Sequence, residues 1–341
     1  MPVNPANIQE LLIGISKPQQ VDIATAQSSL LRLLKVNREL VNITPVSEDD
    51  ADDLGKGHEF PTQNFLTSHD VAGRLEKYTS SVWAAWAFAH ALGGISEAAP
   101  NYTITPMDPV TDSIRLPYFT YVEQVRPGGS AVIDRAVIGC SVNRLQLNFR
   151  SGPGRASSTL AVDFIGCGRR TVPSTLSIPT ATPEFLLPSA SVTISALGTD
   201  YVTTERIIDA ELVWENNWRD RQGYFPGSDF QTPGDADSGA VRGRNWFGKR
   251  VCSFRFNAFL ESTSTEEASL LNGTTGTVVF TLSNGANHSL SVTLHDVVFS
   301  AVVIGDDEGL IKVEVTCKPL YDSSNGIITV VAETNVTGIG A

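Results

Sequence analysis

Residues 138–166 hold two runs of strictly alternating residues, separated by a segment that cannot extend a β-ladder. In residues 142–149 the apolar Leu145, Leu147 and Phe149 fall on one side of a pleat and Arg144, Gln146 and Asn148 on the other. That is the period of a half-buried strand. In residues 159–165 the alternation returns, with Leu160, Val162 and Phe164 opposite Ala161, Asp163 and Ile165. The connecting residues include Gly152, Pro153 and Gly154; proline has no ladder donor and glycine favours bends. The two arms predict an antiparallel hairpin.

The rest of the chain agrees with an antiparallel β protein. Val278, Phe280 and Leu282, then Leu290, Val292 and Leu294, alternate with Ser and Thr across a turn at residues 283–287, which predicts a second hairpin. Asp306, Asp307, Glu308 and Gly309 predict a further turn, before strands at 311–317 and 327–333. Residues 80–92 predict a helix: Ser80 or Ser81 caps it, alanines fill it and Gly93-Gly94 ends it. Trp83, Trp86 and Ala87, with His90 nearby, give that helix an apolar flank for docking on a sheet. A stripe of Leu30, Leu31 and Leu34 fits a helix over 25–41, and an extended, strand-type arm fits the same residues equally well. Residues 47–59 carry six acids against one lysine and read as a solvated loop, with a short strand from Phe60. Prolines 173, 179, 183 and 188 mark residues 171–190 as a connector. Since neither half resembles the other, one sandwich is expected rather than two domains.

At 341 residues the chain can bury a full core without help from metal or disulfides. A formal charge of −12 argues against tightly held nucleic acid, because backbone binding needs clustered Lys and Arg; DNA in passing is not excluded. Cys140, Cys167, Cys252 and Cys317 lie far apart without ligand spacing and read as buried thiols in a reducing compartment. The amino terminus has no signal-peptide pattern and no apolar run is long enough for a bilayer, so synthesis in the cytoplasm is expected, with no membrane association. The Asn-x-Ser/Thr matches at Asn42, Asn101, Asn272, Asn287 and Asn335 then read as chance. No nucleophile elbow, Walker loop, zinc-protease helix or dinucleotide fingerprint occurs, and no cofactor is expected.

Two segments carry the functional candidates. Residues 207–215 alternate Ile208, Ala210, Leu212 and Trp214 with a face bearing Asp209, Glu211 and Glu215. Paired carboxylates can serve glycoside hydrolysis, although a strand showing acids on one face is more often simply wet. Residues 216–250 form the longest loop candidate, with Trp218, Tyr224, Phe225, Trp246 and Phe247 among eight glycines and prolines, and six basic residues against four aspartates. Aromatic and basic side chains interleaved in this way suit single-stranded nucleic acid or a protein contact, and so long a loop is seldom idle.

The order YFTYVEQVRPGG, VIGCSVNRLQLNF and STLAVDFIGCGRR, within residues 118–170, resembles the tail tube (major tail) proteins of long-tailed bacteriophages. The likeness extends over roughly Val21 to Thr334. It implies an antiparallel β sandwich of the tail tube type with a flanking α-helix and long loops. It also implies six copies closing into rings that stack as a tube in the virion tail, enclose the tape measure protein and pass the genome. Tail terminator and baseplate or tail-tip proteins would be the partners at its ends. On this reading residues 1–59 are an amino-terminal arm and acidic loop, and residues 60–341 the sandwich domain with a loop insertion at 216–250. Gly152, Pro153, Gly154 and Arg155, with Trp218, Tyr224, Phe225, Trp246 and Phe247 of the insertion, are candidate subunit or ring contacts. Asp209, Glu211 and Glu215 are candidate lumen carboxylates on a channel wall expected to be net negative. The rival readings are a β-sandwich carbohydrate- or receptor-binding tail module and a capsid decoration protein.

Overall fold

The computed structural model describes residues 11–15, 31–33, 42–49, 64–98, 100–108, 116–125, 133–151, 157–166, 168–171, 186–187, 191–197, 199–202, 207–217, 248–260, 265–285, 288–307, 309–334, 336 and 339. In chain order the first strands are β1 (Leu11–Ile15), β2 (Leu31–Leu33), β3 (Asn42–Asp49), β4 (Asn64–Tyr78), β5 (Gly93–Ala98) and β6 (Asn101–Pro106). There follow β7 (Phe119–Val125), β8 (Ile133–Arg150), β9 (Ser157–Gly166), β10 (Gly168–Thr171), β11 (Ser191–Ala196) and β12 (Thr199–Val202). The last are β13 (Ile207–Glu215), β14 (Val251–Phe259), β15 (Thr275–Ser283), β16 (Ser289–Asp307), β17 (Leu310–Pro319) and β18 (Ile328–Glu333). Helix α1 (Ser81–Leu92) precedes β5 and helix α2 (Glu266–Asn272) precedes β15. No helix among the described residues is long and apolar enough to cross a membrane.

Every strand pairing among the described residues is antiparallel. The main sheet runs β3, β4, β9, β8, β13, β14, β17, β16. A second sheet runs β12, β11, β15, β16, β18, β6, β5. Strand β16 serves both, pairing with β18 over its first six residues and with β17 from Val297 onward. The amino-terminal half of β8 joins β7, β1, β2 and β10 in a smaller sheet. The changeover falls at Gly139, whose φ of 60° lies in the left-handed region that a Cβ disfavours. Ile138 before it pairs with β10, and Ser141 after it pairs with β9. A glycine inside an otherwise continuous strand pattern is the local signal for that redirection.

The predicted central hairpin is present as β8 and β9, with Leu145 opposite Val162 and Leu147 opposite Leu160. Leu145, Leu147, Phe149, Leu160, Val162 and Phe164 are all buried. Across the sandwich they meet the apolar face of the second sheet: Phe280 lies 6.4 Å from Phe149 and 5.7 Å from Phe254, centroid to centroid. Each such side chain contributes about 1.5 to 3 kcal/mol through burial. The predicted hairpin from Val278 to Leu294 is likewise present as β15 and β16, and Gly309, φ 89°, turns β16 into β17.

Helix α1 begins as its sequence predicts, with Ser80 Oγ accepting from Trp83 N at 3.2 Å, and ends where Gly93, φ 98°, donates to Ala89 O. Its packing differs from a flank-docked helix. Every residue from Trp83 to Leu92 is buried, because the helix lies between β8 on one side and β6 and β18 on the other. Composition explains this: five alanines let the strands approach, and no charged face exists to be left in water. Trp83 Nε1 donates to Leu160 O at 3.0 Å, and the indole of Trp83 stacks on that of Trp86 at 5.2 Å.

Four other expectations are adjusted. Leu31, Arg32 and Leu33 are extended and pair with β1, which favours the strand-type arm over a helix. Ser47, Glu48 and Asp49 belong to β3 rather than to a loop, paired with the start of β4; residues 50–59 lie outside the described residues. The strand expected from Phe60 begins at Asn64 and runs for 15 residues. A bulge between Ile207 and Asp209 also buries Ile207 in place of Ile208. Cys140 and Cys317 are buried and Cys252 half-buried, all three free; burial pushes the Cys252 and Cys317 thiols up to about 12.

Candidate functional site

The two sheets show solvent very different outer faces. On the second sheet the outward positions are Thr193, Thr281, Ser291, Val331 and Thr103 in one row, with Ser283, Ser289 and Glu333 in the next. On the main sheet the outward positions are charged, and cross-strand register sets them side by side. One row reads Arg74, Asp163, Arg144, Glu215; another reads Asn148, Glu211, Arg255, Thr316.

Most of these side chains form one chain of contacts, with separate pairs beside it. Arg74 Nη1 reaches Asp163 Oδ1 at 3.1 Å and Arg74 Nη2 reaches Glu76 Oε2 at 3.3 Å. Arg74 Nη2 also donates to Gln146 Oε1 at 3.3 Å, and Gln146 Nε2 donates to Glu211 Oε1 at 2.5 Å. The other oxygen of Glu211 accepts from Arg255 Nε at 2.6 Å, and Arg255 Nη1 lies 3.9 Å from Glu314. Arg144 pairs with Glu215 at 3.4 Å, while Asn257 Nδ2 donates to both oxygens of Asp209 at 2.9 and 3.0 Å. The chain of contacts crosses β4, β9, β8, β13, β14 and β17 without a break in the sheet beneath it. Burial alone would raise the Glu211 carboxyl; hydrogen bonds from Arg255 and Gln146, with the charges of Arg255 and Arg144, more than offset this and hold it below its ordinary range.

Asp209, Glu211 and Glu215 therefore lie together on one solvent-facing surface of β13, as alternation predicts. Each is engaged by a neighbouring strand. The partners Arg74, Arg255 and Asn257 did not stand out in the sequence, because only the strand order brings them into this set of contacts. Arg144, Gln146 and Asn148 did form a visible polar set, which was the available signal. Gly152, Pro153, Gly154, Arg155, Trp218, Tyr224, Phe225, Trp246 and Phe247 lie outside the described residues. Their flanks are described: Thr79 Oγ1 and Ser158 Oγ are 2.7 Å apart at the base of the hairpin tip. Gly248 N donates to Asn216 O at 2.8 Å, so residues 217–247 leave and rejoin the body at adjacent points.

Among the described residues the site is a charged sheet face, on a sandwich whose sheets merge through β8 and β16. The family model described as phage tail tube protein matches residues 24–325. The chain belongs to the phage tail tube protein family. It is thus a structural tail tube subunit of a bacteriophage virion, and its mainly β fold agrees with that membership. No curated protein matches it at a significant level.

Proposed function

We propose that six copies of this chain close into a ring, and that rings stack into a tube that encloses the tape measure protein and conducts DNA during genome ejection. A head-to-tail contact that does not close on itself builds an open filament, while a closed six-fold contact builds each ring. The observation that carries this reading is the family match over residues 24–325, joined to a charged face spanning six strands. Further partners are the tail terminator and the baseplate or tail-tip proteins at the two ends. Residues 1–59 act as an arm and residues 60–341 as the sandwich domain, with its insertion at 216–250. The protein works without a cofactor or catalytic step, and it is made in the host cytoplasm.

In this arrangement the outer face of the main sheet lines the channel, with Asp209, Glu211 and Glu215 among the wall carboxylates. The chain's formal charge of −12 supports a wall that is net negative over the whole ring. A polyanion held by clustered basic residues would release counterions and stick. Negative-stain imaging of the purified full-length chain tests the assembly: stacked rings are expected, and monodisperse single subunits under all conditions would overturn it. A density map with the Ser/Thr face of the second sheet lining the channel would overturn the assignment of the wall.

A further inference from the structure

The described side chains on the main sheet's outer face include six acids (Glu76, Asp163, Asp209, Glu211, Glu215, Glu314) and six bases (Arg74, Arg144, Arg150, Arg255, Lys312, Lys318). Among these described side chains the count is balanced, so they exert no net repulsion of their own toward a polyanion. Its three central arginines, moreover, are the side chain best shaped to clamp phosphate. At the centre of the face, indifference to DNA must then come from geometry as well as from the charge of the whole ring. We propose that Asp163, Glu211 and Glu215 are masking residues: each holds a guanidinium in a cross-strand pair, so that passing duplex DNA meets no free arginine at the centre of the wall. The inference rests on the channel reading given above and names the residues that set its behaviour toward DNA.

The geometry supports the masks individually. Asp163 takes the Nη1 edge of Arg74, whose Nη2 is shared by Glu76 and Gln146. Glu211 takes Arg255 and is itself fixed by Gln146 from the opposite side, so its carboxylate cannot swing away without losing two partners. Glu215 faces Arg144 Nε from the adjoining strand at 3.4 Å, an ion pair without a hydrogen bond. The remaining bases sit at the margins: Arg150 ends β8, and Lys312 and Lys318 lie near the two ends of β17, the edge-ward strand beside β16. A phosphate at the centre of the face would have to displace a carboxylate that already holds its arginine.

The test removes the masks and keeps the shape. Glu211→Gln with Glu215→Gln frees two guanidiniums, and Asp163→Asn, made separately, frees the Nη1 edge of Arg74. Glu267→Gln with Glu333→Gln removes the same charge as the first pair away from this face and serves as the control. Unassembled, folded subunits are run on a column of immobilised double-stranded DNA over a salt series, with circular dichroism reporting the fold. The double variant is expected to bind about tenfold tighter than the control at low salt, its log-log salt slope steeper by about 1.8 for the two new phosphate contacts. Asp163→Asn is expected to shift in the same direction by about half as much in slope. Elution of both variants with the control would overturn the proposal, and folding failure of one leaves the other to decide. Because the column reads single subunits, a shift in a protein that never forms tubes would defeat the tube reading alone, whereas tubes without a shift would defeat the masking alone.

Discussion

Trp214 and Asn216 lock the carboxyl end of β13 to the core, the indole Nε1 donating to the Asn216 side-chain oxygen at 2.9 Å. The amide nitrogen of Asn216 donates in turn to Ala91 O at 3.0 Å, at the end of α1, and to Val142 O at 2.9 Å, where β8 bulges. Asn216 is fully buried, so replacing it by leucine strands a buried donor and two carbonyls at once. At about 1 to 3 kcal/mol for each group left unsatisfied, Asn216→Leu is expected to cost about 3 kcal/mol or more. Urea unfolding of the subunit measures it, with a midpoint shift at unchanged slope as the expected form.

A second prediction concerns acid. His90 is fully buried against Trp86 and Phe119, with Nδ1 2.8 Å from Trp86 O, which fits an Nδ1–H tautomer because only an N–H can donate to a carbonyl. Its Nε2 is buried without a hydrogen-bond partner. Burial lowers the folded pKa to about 4 from 6.5, against a small opposing effect of the Trp86 hydrogen bond. The folded state therefore binds fewer protons than the unfolded state between those values. The contribution is complete above pH 6.5 and is lost as pH falls toward about 4. The loss amounts to about 3 kcal/mol. His90→Leu is expected to flatten this limb: its stability relative to wild type should improve on acidification, read from urea midpoints across that range. A constant difference between the two proteins would show that His90 does not titrate with unfolding.

Sequence periodicity exposed the hairpins and the helix because their burial alternates at the strand or helix period, as in Leu145, Leu147 and Phe149. It misplaced Ile208 because a bulge shifts the phase by one residue, and no pattern within residues 207–215 announces that bulge. It assigned α1 a single flank because sequence gives the helix its apolar residues but not the number of sheets against it. Asn216 looked like the first residue of a loop; only the meeting of β8, β13 and α1 turns it into a buried anchor. The carboxylates of β13 were legible as one face, while the arginines that engage them, Arg144 and Arg255, come from the neighbouring strands β8 and β14 and required the sheet order.

The tip of the central hairpin yields a third prediction. Ser158 is buried, accepts from Thr79 N at 2.9 Å through its carbonyl, and lies hydroxyl to hydroxyl with Thr79. The ladder of β8 and β9 reaches Arg150 and Ser157. Replacing residues 152–156 by a two-residue Asn-Gly turn thus leaves every described bond in place, and the subunit is expected to keep its unfolding midpoint within about 0.5 kcal/mol. Loss of Gly152, Pro153, Gly154 and Arg155 should, however, shorten the tubes if the tip reaches another copy. Particle lengths by electron microscopy decide it; full-length tubes from the trimmed protein would remove the tip from the contacts.

The insertion at 216–250 gives the last prediction, because its base is closed independently of its contents. Asn216 O accepts from Gly248 N at 2.8 Å, and Asn217 Nδ2 donates to Lys249 O at 2.7 Å. A Cβ at residue 248 would come within 2.2 Å of Asn217 O, so glycine is required where the two ends approach. Arg250 then packs over the Trp214 ring, 5.8 Å from its centroid, which fixes the returning chain to the core. A clasp of this kind lets the loop vary without unfolding the body: replacing residues 218–247 by a short Gly/Ser linker should leave the subunit folded, since loop-closure entropy changes slowly with length. Assembly is expected to respond differently. Trp and Tyr dominate the energetics of surfaces that become buried, whereas exposed ion pairs contribute about 0 to 1 kcal/mol each. Trp218→Ala and Trp246→Ala are therefore expected to raise the critical concentration for tube formation by about tenfold or more, and Arg219→Ala or Arg244→Ala by much less. Sedimentation of assembled from free subunits over a concentration series measures all four. Equal assembly by the tryptophan variants, together with cleavage of the loop by protease inside intact tubes, would show that the insertion projects freely rather than packing on a neighbour.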